Sequence, residues 1–332
     1  MAAEWGTFNP REEFGKAVVA LGRERDNCMV LAADLARTCH VLGFLDARPD
    51  NFFNVGICEQ NMVGMAAGLA FEGKVPIVTS IAPFIYMRAC EQVRTDVCYN
   101  NLHVLFVPIL SGISGAPLGS THYGTEDLAV MRSFPNMKVL QPSNARQIEK
   151  AIREAYDAEG PLYIRLGSGQ EPDVPSHPQG PMIGRAIHLR EGADVSILAS
   201  GYMVHKALEA AELLAQEGIS AGVWDHPSIK PIDAGAVRAA LAGSSDAVKL
   251  VVTLEEHNLC GGFGSAVAEQ VAKIGSYVPL EMMAIPDLFV GVGEREDLLR
   301  FHHLDTDSIV RRIKARIESI DQDTGLSEHQ DD

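Results

Sequence analysis

The chain has 332 residues, of which 46% are hydrophobic and 22% charged. That is enough for two domains of ordinary size and is the balance of a globular protein, and no apolar run reaches the length needed to cross a bilayer. A formal net charge of −16 argues against a nucleic-acid surface, because phosphate repels acid.

Six cysteines are scattered along the chain, and no pair has CxxC spacing. Zinc and thioredoxin-like readings therefore lack support, no metal ligand set is expected, and free thiols are the expected state. The opening Met1-Ala2-Ala3-Glu4-Trp5-Gly6 has no basic region followed by an apolar core, so a cytoplasmic location is expected.

Strand-like and helix-like segments alternate from the start. Asn9-Pro10-Arg11-Glu12-Glu13 opens a helix, with Pro in its first turn and acids behind it. Met29-Val30-Leu31 reads as a buried strand that ends in Ala33-Asp34-Leu35. Phe52 to Val55 is a short strand. Gly56-Ile57-Cys58-Glu59-Gln60-Asn61-Met62 then leads into an apolar helix, with Met62, Met65, Ala66 and Leu69 on one face. A carboxylate at a helix start is favoured by the free amides and the macrodipole there. Pro76 to Ser80 is a strand and Phe84 to Tyr99 a helix. His103 to Leu110 is a strand expected to end near Pro108. The loop Ser111 to Thr125 is rich in Gly, Ser and Thr. Lys138-Val139-Leu140 precedes a helix from about Asn144 to Ala158, and Leu162 to Leu166 closes this half.

Gly167 to Pro181 breaks the alternation with four prolines and reads as an extended linker. The second half resumes with strands at Val195–Ala199, Ala221–Trp224, Leu250–Leu254 and Leu280–Met283. Its helices include Val204 to Gln216 and a last one from about Thr306 to Ile320. The polar end after Asp321 is expected to be disordered. The pattern predicts an α/β protein of two domains with mostly parallel sheets. The expected bounds are 1–170, a linker at 171–184, 185–320, and a tail at 321–332.

Glu59, the helix residues Phe84, Arg88 and Arg94, and the loop end Ser120-Thr121-His122 follow one another in an order that resembles the pyrimidine-binding domain of transketolase and 1-deoxyxylulose-5-phosphate synthase. The stretch Ile81-Ala82-Pro83-Phe84 before Arg88-Ala89-Cys90-Glu91-Gln92 is similar to the family's F-x-x-F and R-A-x-E/D-Q. Asp127 to Arg132 and Pro135-Asn136-Met137 also match. The resemblance implies thiamine diphosphate as cofactor. Glu59 would bond its pyrimidine nitrogen and favour the imino tautomer, Phe84 would stack on the ring, and Ile81 and Arg88 would line its seat. Tyr86 is a second candidate ring. His122 would contact the cofactor or substrate hydroxyls, and Asp34 and Arg165 the sugar.

Three departures accompany these matches. Leu118 stands where the family has an Asp that reads a hydroxyl. Leu110 stands near a missing histidine, and Ser168 at the place expected for a phosphate-binding arginine. They imply a sugar altered at its far end, or contacts supplied by another chain. Leu259 to Ser265 suggests a dinucleotide loop but lacks the full GxGxxG fingerprint. Its E-E-x…G-G-x-G-S wording is similar to the family's C-terminal domain, as is Ile229 to Asp233.

The G-D-G motif by which the family's diphosphate domain holds Mg²⁺ does not occur in these residues, so that domain is expected on another chain. The resemblance therefore implies one half of a split transketolase. A partner subunit would hold Mg²⁺ and diphosphate, two copies of each chain would assemble, and the substrates would be small sugars. The beta subunit of a 2-oxo acid dehydrogenase and a non-catalytic scaffold are the alternatives.

Overall fold

The computed structural model describes residues 5–174, 182–243 and 248–327. Two sheets dominate. The larger has seven strands, in the order Ser228–Lys230, Lys138–Leu140, Leu162–Ile164, Leu105–Phe106, Val75–Thr79, Cys28–Ala32, Phe52–Asn54. All its neighbours pair in parallel except Ser228–Lys230, which runs antiparallel to Lys138–Leu140. The smaller has five strands, in the order Leu280–Ile285, Leu250–Asn258, Val195–Ala199, Ala221–Asp225, Ile187–Arg190, with only the last antiparallel. The central strands Cys28–Ala32, Val75–Thr79, Val195–Ala199 and Leu250–Asn258 are buried throughout. That explains why they read as continuous apolar runs instead of alternating ones.

Helices cover both faces, as parallel crossovers require. Pro10–Glu24 starts at Asn9, whose side chain accepts from the Arg11 amide, and packs beside Ala145–Asp157, started by Asn144. Both caps satisfy amides that the helix leaves unpaired.

Four expectations need correcting. The strand at His103–Leu110 is regular only at Leu105–Phe106, beyond which Ile109 bridges Ile81 and Leu110 turns to φ 60°. Pro108 lacks the amide a ladder needs. The Phe84–Tyr99 helix contains two π-helical stretches, Phe84–Arg88 and Val93–Cys98. In the expected linker, Glu171–Pro172 pairs with Thr7–Phe8, and residues 175–181 lie outside the described ones. The last helix runs Thr306–Ser327, so the expected tail begins inside it; residues 328–332 lie outside the described ones.

The two halves share one core. Leu198, Ile229, Val237 and Phe263 cluster with Met62, Ile85, Phe106 and Leu128. Ser228–Lys230 crosses from the second half to extend the first sheet, and the Lys230 ammonium donates to the carbonyl of Arg132 (2.9 Å) and that of Phe134.

Candidate active site

Glu59 stands where the sheet delivers it. Cys28–Ala32 and Phe52–Asn54 run parallel, and the Asn54 carboxamide oxygen fastens their ends by accepting from the amides of Asp34 (3.0 Å) and Gly56 (3.2 Å). The chain turns at Gly56, φ 74°, and enters the Glu59–Phe71 helix at its first residue. Unpaired amides there favour a carboxylate. The Glu59 side chain is only 4% exposed, and its Oε1 accepts from Arg88 Nη1 at 3.1 Å.

Arg88 closes the Phe84–Arg88 π-helical stretch. Such stretches widen a helix and re-aim its side chains, often at functional sites. Its guanidinium carbon lies 3.9 Å from the Phe84 ring centre, a cation–π contact. The Phe84 ring also meets His122 edge-on, with centroids 5.4 Å apart at 67°. Thr121 Oγ1 lies 2.9 Å from His122 Nδ1. Glu59, Arg88, Phe84 and His122 thus form an unbroken chain of contacts. Beside it opens a pocket of about 510 Å³ lined by Ile57, Cys58, Glu59, Gln60, Asn61 and Arg88.

The other expected residues sit elsewhere. Ile81 is buried at 5% exposure, and its backbone bridges Ile109, so it supports Phe84 from the core. Tyr86 is buried too. Its hydroxyl donates to Glu126 at 2.6 Å, so it offers no stacking face beside Phe84. Asp34 lies exposed at the end of its strand in a left-handed turn, φ 58°. Arg165 is wholly buried. Its Nε donates to both oxygens of Asp127 (3.0 and 2.9 Å), and its Nη2 to the carbonyls of Gly124 (2.7 Å) and Glu256 (2.9 Å). Its guanidinium is committed inside the protein. Leu110 is buried, Leu118 is 52% exposed and Ser168 is half-buried.

The sequence reading missed a buried ionic seam behind the loop that carries His122. Asp127 also accepts from Tyr163 Oη at 3.0 Å. His257 donates Nδ1–H to the Asn258 carbonyl (2.7 Å), and its Nε2 faces the Ala129 amide, the arrangement of a neutral ring. Burial pushes its pKa down to about 4. Arg295 grips Glu256 and Glu171. Burial opposes its charge, but the two carboxylates outweigh that and raise its pKa. Burial raises the Glu171 carboxyl against the pull of Arg295. The available signal was Glu255-Glu256-His257, three polar residues at the end of an apolar strand.

The glycine loop at 261–264 is explained by Glu255. Its carboxylate accepts from the amides of Phe263 (2.6 Å) and Gly264 (2.8 Å) at the start of the Phe263–Ile274 helix. A Cβ on Gly262 would fall 2.1 Å from Glu255 Oε2. The helix N-terminus that would hold a dinucleotide phosphate is already filled by the protein's own carboxylate. Burial raises that carboxyl to about 7, against the pull of the two amides.

A pyrimidine ring needs a carboxyl group for its ring nitrogen and an aromatic face. Buried Glu59 lines the pocket and half-buried Phe84 lies behind Arg88, 3.9 Å from its guanidinium carbon, so the residue types fit that part of a thiamine cofactor. Arg88 lies over the Phe84 ring and holds Glu59, so a ring seated there must share these groups with Arg88 or displace it. Among the described residues no cluster of His, Cys, Asp and Glu could hold a metal ion, and no helix is long and apolar enough to cross a membrane.

Comparison with known proteins identifies the two domains. Residues 7–171 match the model for the transketolase pyrimidine binding domain, and residues 184–309 that for the transketolase C-terminal domain. The chain is 39% identical to an apulose-4-phosphate transketolase subunit from Actinobacillus succinogenes, over 84% of this chain and 89% of that one. It is 37% identical to the 6-deoxy-6-sulfo-D-fructose transketolase subunit SqwH of a Clostridium species, over 91% and 92%. A solved structure of a split gene transketolase, an inactive beta4 tetramer, superposes with a TM-score of 0.84 at 39% identity, covering 94% of this chain and 99% of that one. The chain belongs to the transketolase family, as a subunit of the type that carries the pyrimidine-binding and C-terminal domains.

Proposed function

We propose that this chain is one half of a split transketolase that moves a two-carbon ketol unit from a ketose to an aldose with thiamine diphosphate, and that its sugar is not a standard pentose phosphate. The observation that carries this reading is the contact chain Glu59–Arg88–Phe84–His122 beside one open pocket. Support for the sugar comes from Leu118 and Ser168, from the commitment of Arg165 to Asp127, and from relatives named for unusual sugars.

In this reading residues 1–170 form the pyrimidine-binding domain and 185–320 the C-terminal domain. Bound thiamine diphosphate supplies the nucleophilic carbon and the electron sink. Glu59, buried at the helix start, holds the proton shared with the pyrimidine ring nitrogen. Phe84 supplies the stacking face and Ile81 backs it. Arg88 keeps the Glu59 carboxylate oriented and offers charge at the pocket edge. His122 faces the reacting sugar and can hold or give a proton to its hydroxyls. Exposed Asp34 is assigned to the substrate. Arg165 is given a structural role.

Magnesium and the diphosphate belong to a partner subunit, with two copies of each chain in the assembly, in the cytoplasm. Native mass spectrometry of the chain purified from its own source tests this. The expected result is a complex with a second chain of similar size that carries thiamine diphosphate and magnesium and transfers ketol units. A lone homodimer with no cofactor would overturn it.

A further inference from the structure

The loop Ser111–Thr125 carries His122 but is not held by its own half alone. Its two ends meet in a reciprocal bridge, with Gly112 N–H to Gly124 O and Gly124 N–H to Gly112 O, each 2.9 Å. At this base the Ile113 amide donates to Glu256 Oε1 at 3.0 Å. A Cβ on Gly112 would lie 2.7 Å from the Glu256 carboxyl carbon, and its φ is 63°, so only glycine lets that carboxylate approach. The same Oε1 accepts from Arg295 Nε at 3.0 Å.

The far end of the loop is gripped by the segment just before Arg295. Ser120 Oγ donates to the Val290 carbonyl and Tyr123 Oη to that of Gly291 (3.3 Å), and Gly119 lies against Val292. Arg295 is fixed in turn by Glu171 at 2.8 Å and by the Tyr202 ring, 3.2 Å from its guanidinium carbon. One arginine therefore ties the grip on the loop's tip to the grip on its base.

We infer that Glu256 and Arg295 of the C-terminal half are positioning residues that hold the His122 loop in register with Phe84. This gives that half a task in the reaction although it contributes no group to the pocket beside Glu59. The inference rests on the reading of His122 as facing the sugar. The clamp itself can be tested without that reading.

The experiment pairs hydrogen exchange of the folded chain with kinetics of the assembled enzyme, for Arg295→Lys, Arg295→Met and Ser120→Ala. Lysine keeps the charge but loses the fork that spans Glu256 and Glu171. Ser120→Ala releases the tip without uncovering a buried charge, so it remains informative if Arg295→Met fails to fold. The expected result is amide exchange about tenfold faster confined to residues 111–125. The enzyme should retain its thiamine diphosphate while kcat falls by about a hundredfold in Arg295→Met, less in the other two. Loss of cofactor and of protection across the whole chain together would mean a merely structural role and would overturn the inference. So would unchanged exchange in a folded Ser120→Ala. A wild-type assembly inactive on every ketose, with loop exchange still faster in the variants, would sink the proposed function and leave the clamp standing.

Discussion

Replacing Glu59 by glutamine tests the centre of the site with little disturbance of the fold. Glutamine keeps the volume and leaves a carbonyl oxygen to accept from Arg88, but it cannot ionise. Two stabilising contributions are lost. A carboxylate in the first helical turn is worth about 0.3–1 kcal/mol. Its ion pair is shared with an Arg88 side chain that is 49% exposed, so screening limits it to about 0–1 kcal/mol. The sum, under about 2 kcal/mol, is small against a typical stability of about 5–15 kcal/mol, and the variant should fold and assemble. If the carboxyl group holds the proton shared with the cofactor ring, turnover should fall by about 10²–10⁴, the range for a positioned acid or base. The assay is steady-state ketol transfer by the assembled enzyme, with subunit composition and melting temperature measured on the same sample. Intact assembly with unchanged turnover would refute the role of Glu59, and would favour a subunit that uses the fold only for assembly.

Arg165→Met should destabilise the chain by about 3–5 kcal/mol in chemical unfolding, because it strands a wholly buried Asp127 carboxylate; a stable variant with only a raised KM would restore Arg165 to the sugar site. His257 has a folded pKa of about 4 against 6.5, so the unfolded chain binds the extra proton between these values. Its contribution, about 3 kcal/mol, is present above pH 6.5 and lost as pH falls towards 4, and His257→Gln should flatten the unfolding free energy across that window by about one proton. Asp225 and Glu255, raised by burial to about 6 and 7, tilt the wild-type profile the opposite way, so the difference between the two proteins is the quantity to read. Gly262→Ala places a methyl 2.1 Å from Glu255 Oε2 and 2.5 Å from His257 Nδ1, and should cost about 1–3 kcal/mol or more in thermal unfolding. If the proposed reading of Leu110 and Ser168 is right and another chain does not supply the two phosphate contacts, each worth about 1.5–3 kcal/mol, kcat/KM for xylulose 5-phosphate should not exceed that for non-phosphorylated ketoses; a clear preference for the phosphate would refute the altered-sugar reading.

Much of the site was legible because its residues are fixed by local rules. The strand before Glu59 and the apolar face after it place a carboxylate at a helix start whatever the rest of the chain does. Phe84 and Arg88 are four apart on a helical segment, so they share a face. His122 could be reached only through a family pattern, since nothing local says that a glycine-rich loop folds back onto Phe84. Arg165 misled for the same reason: what a residue just past a strand end turns towards is decided by distant partners, and the Asp127 that claims it lies 38 positions earlier.

The seam was not legible, and the reason is physical. Periodicity reports which faces are apolar, whereas Asp127 and Arg165, and Glu256 and Arg295, are polar groups buried by pairing within each half, with Arg165 bonded across to the Glu256 carbonyl. Burying such charges costs energy that only close, multiply bonded partners offset, so each makes sense solely in the presence of the others. The same condition gives them directional value. Apolar contacts between the halves would tolerate sliding, but a forked Arg295 bonded to both oxygens of Glu256, with the Ile113 amide on one of them, accepts one alignment. If His122 has the proposed role, that alignment is what keeps its loop against Phe84. On the proposed clamp, the ionic seam would then serve the chemistry as well as the fold, even though no member of it lines the pocket beside Glu59.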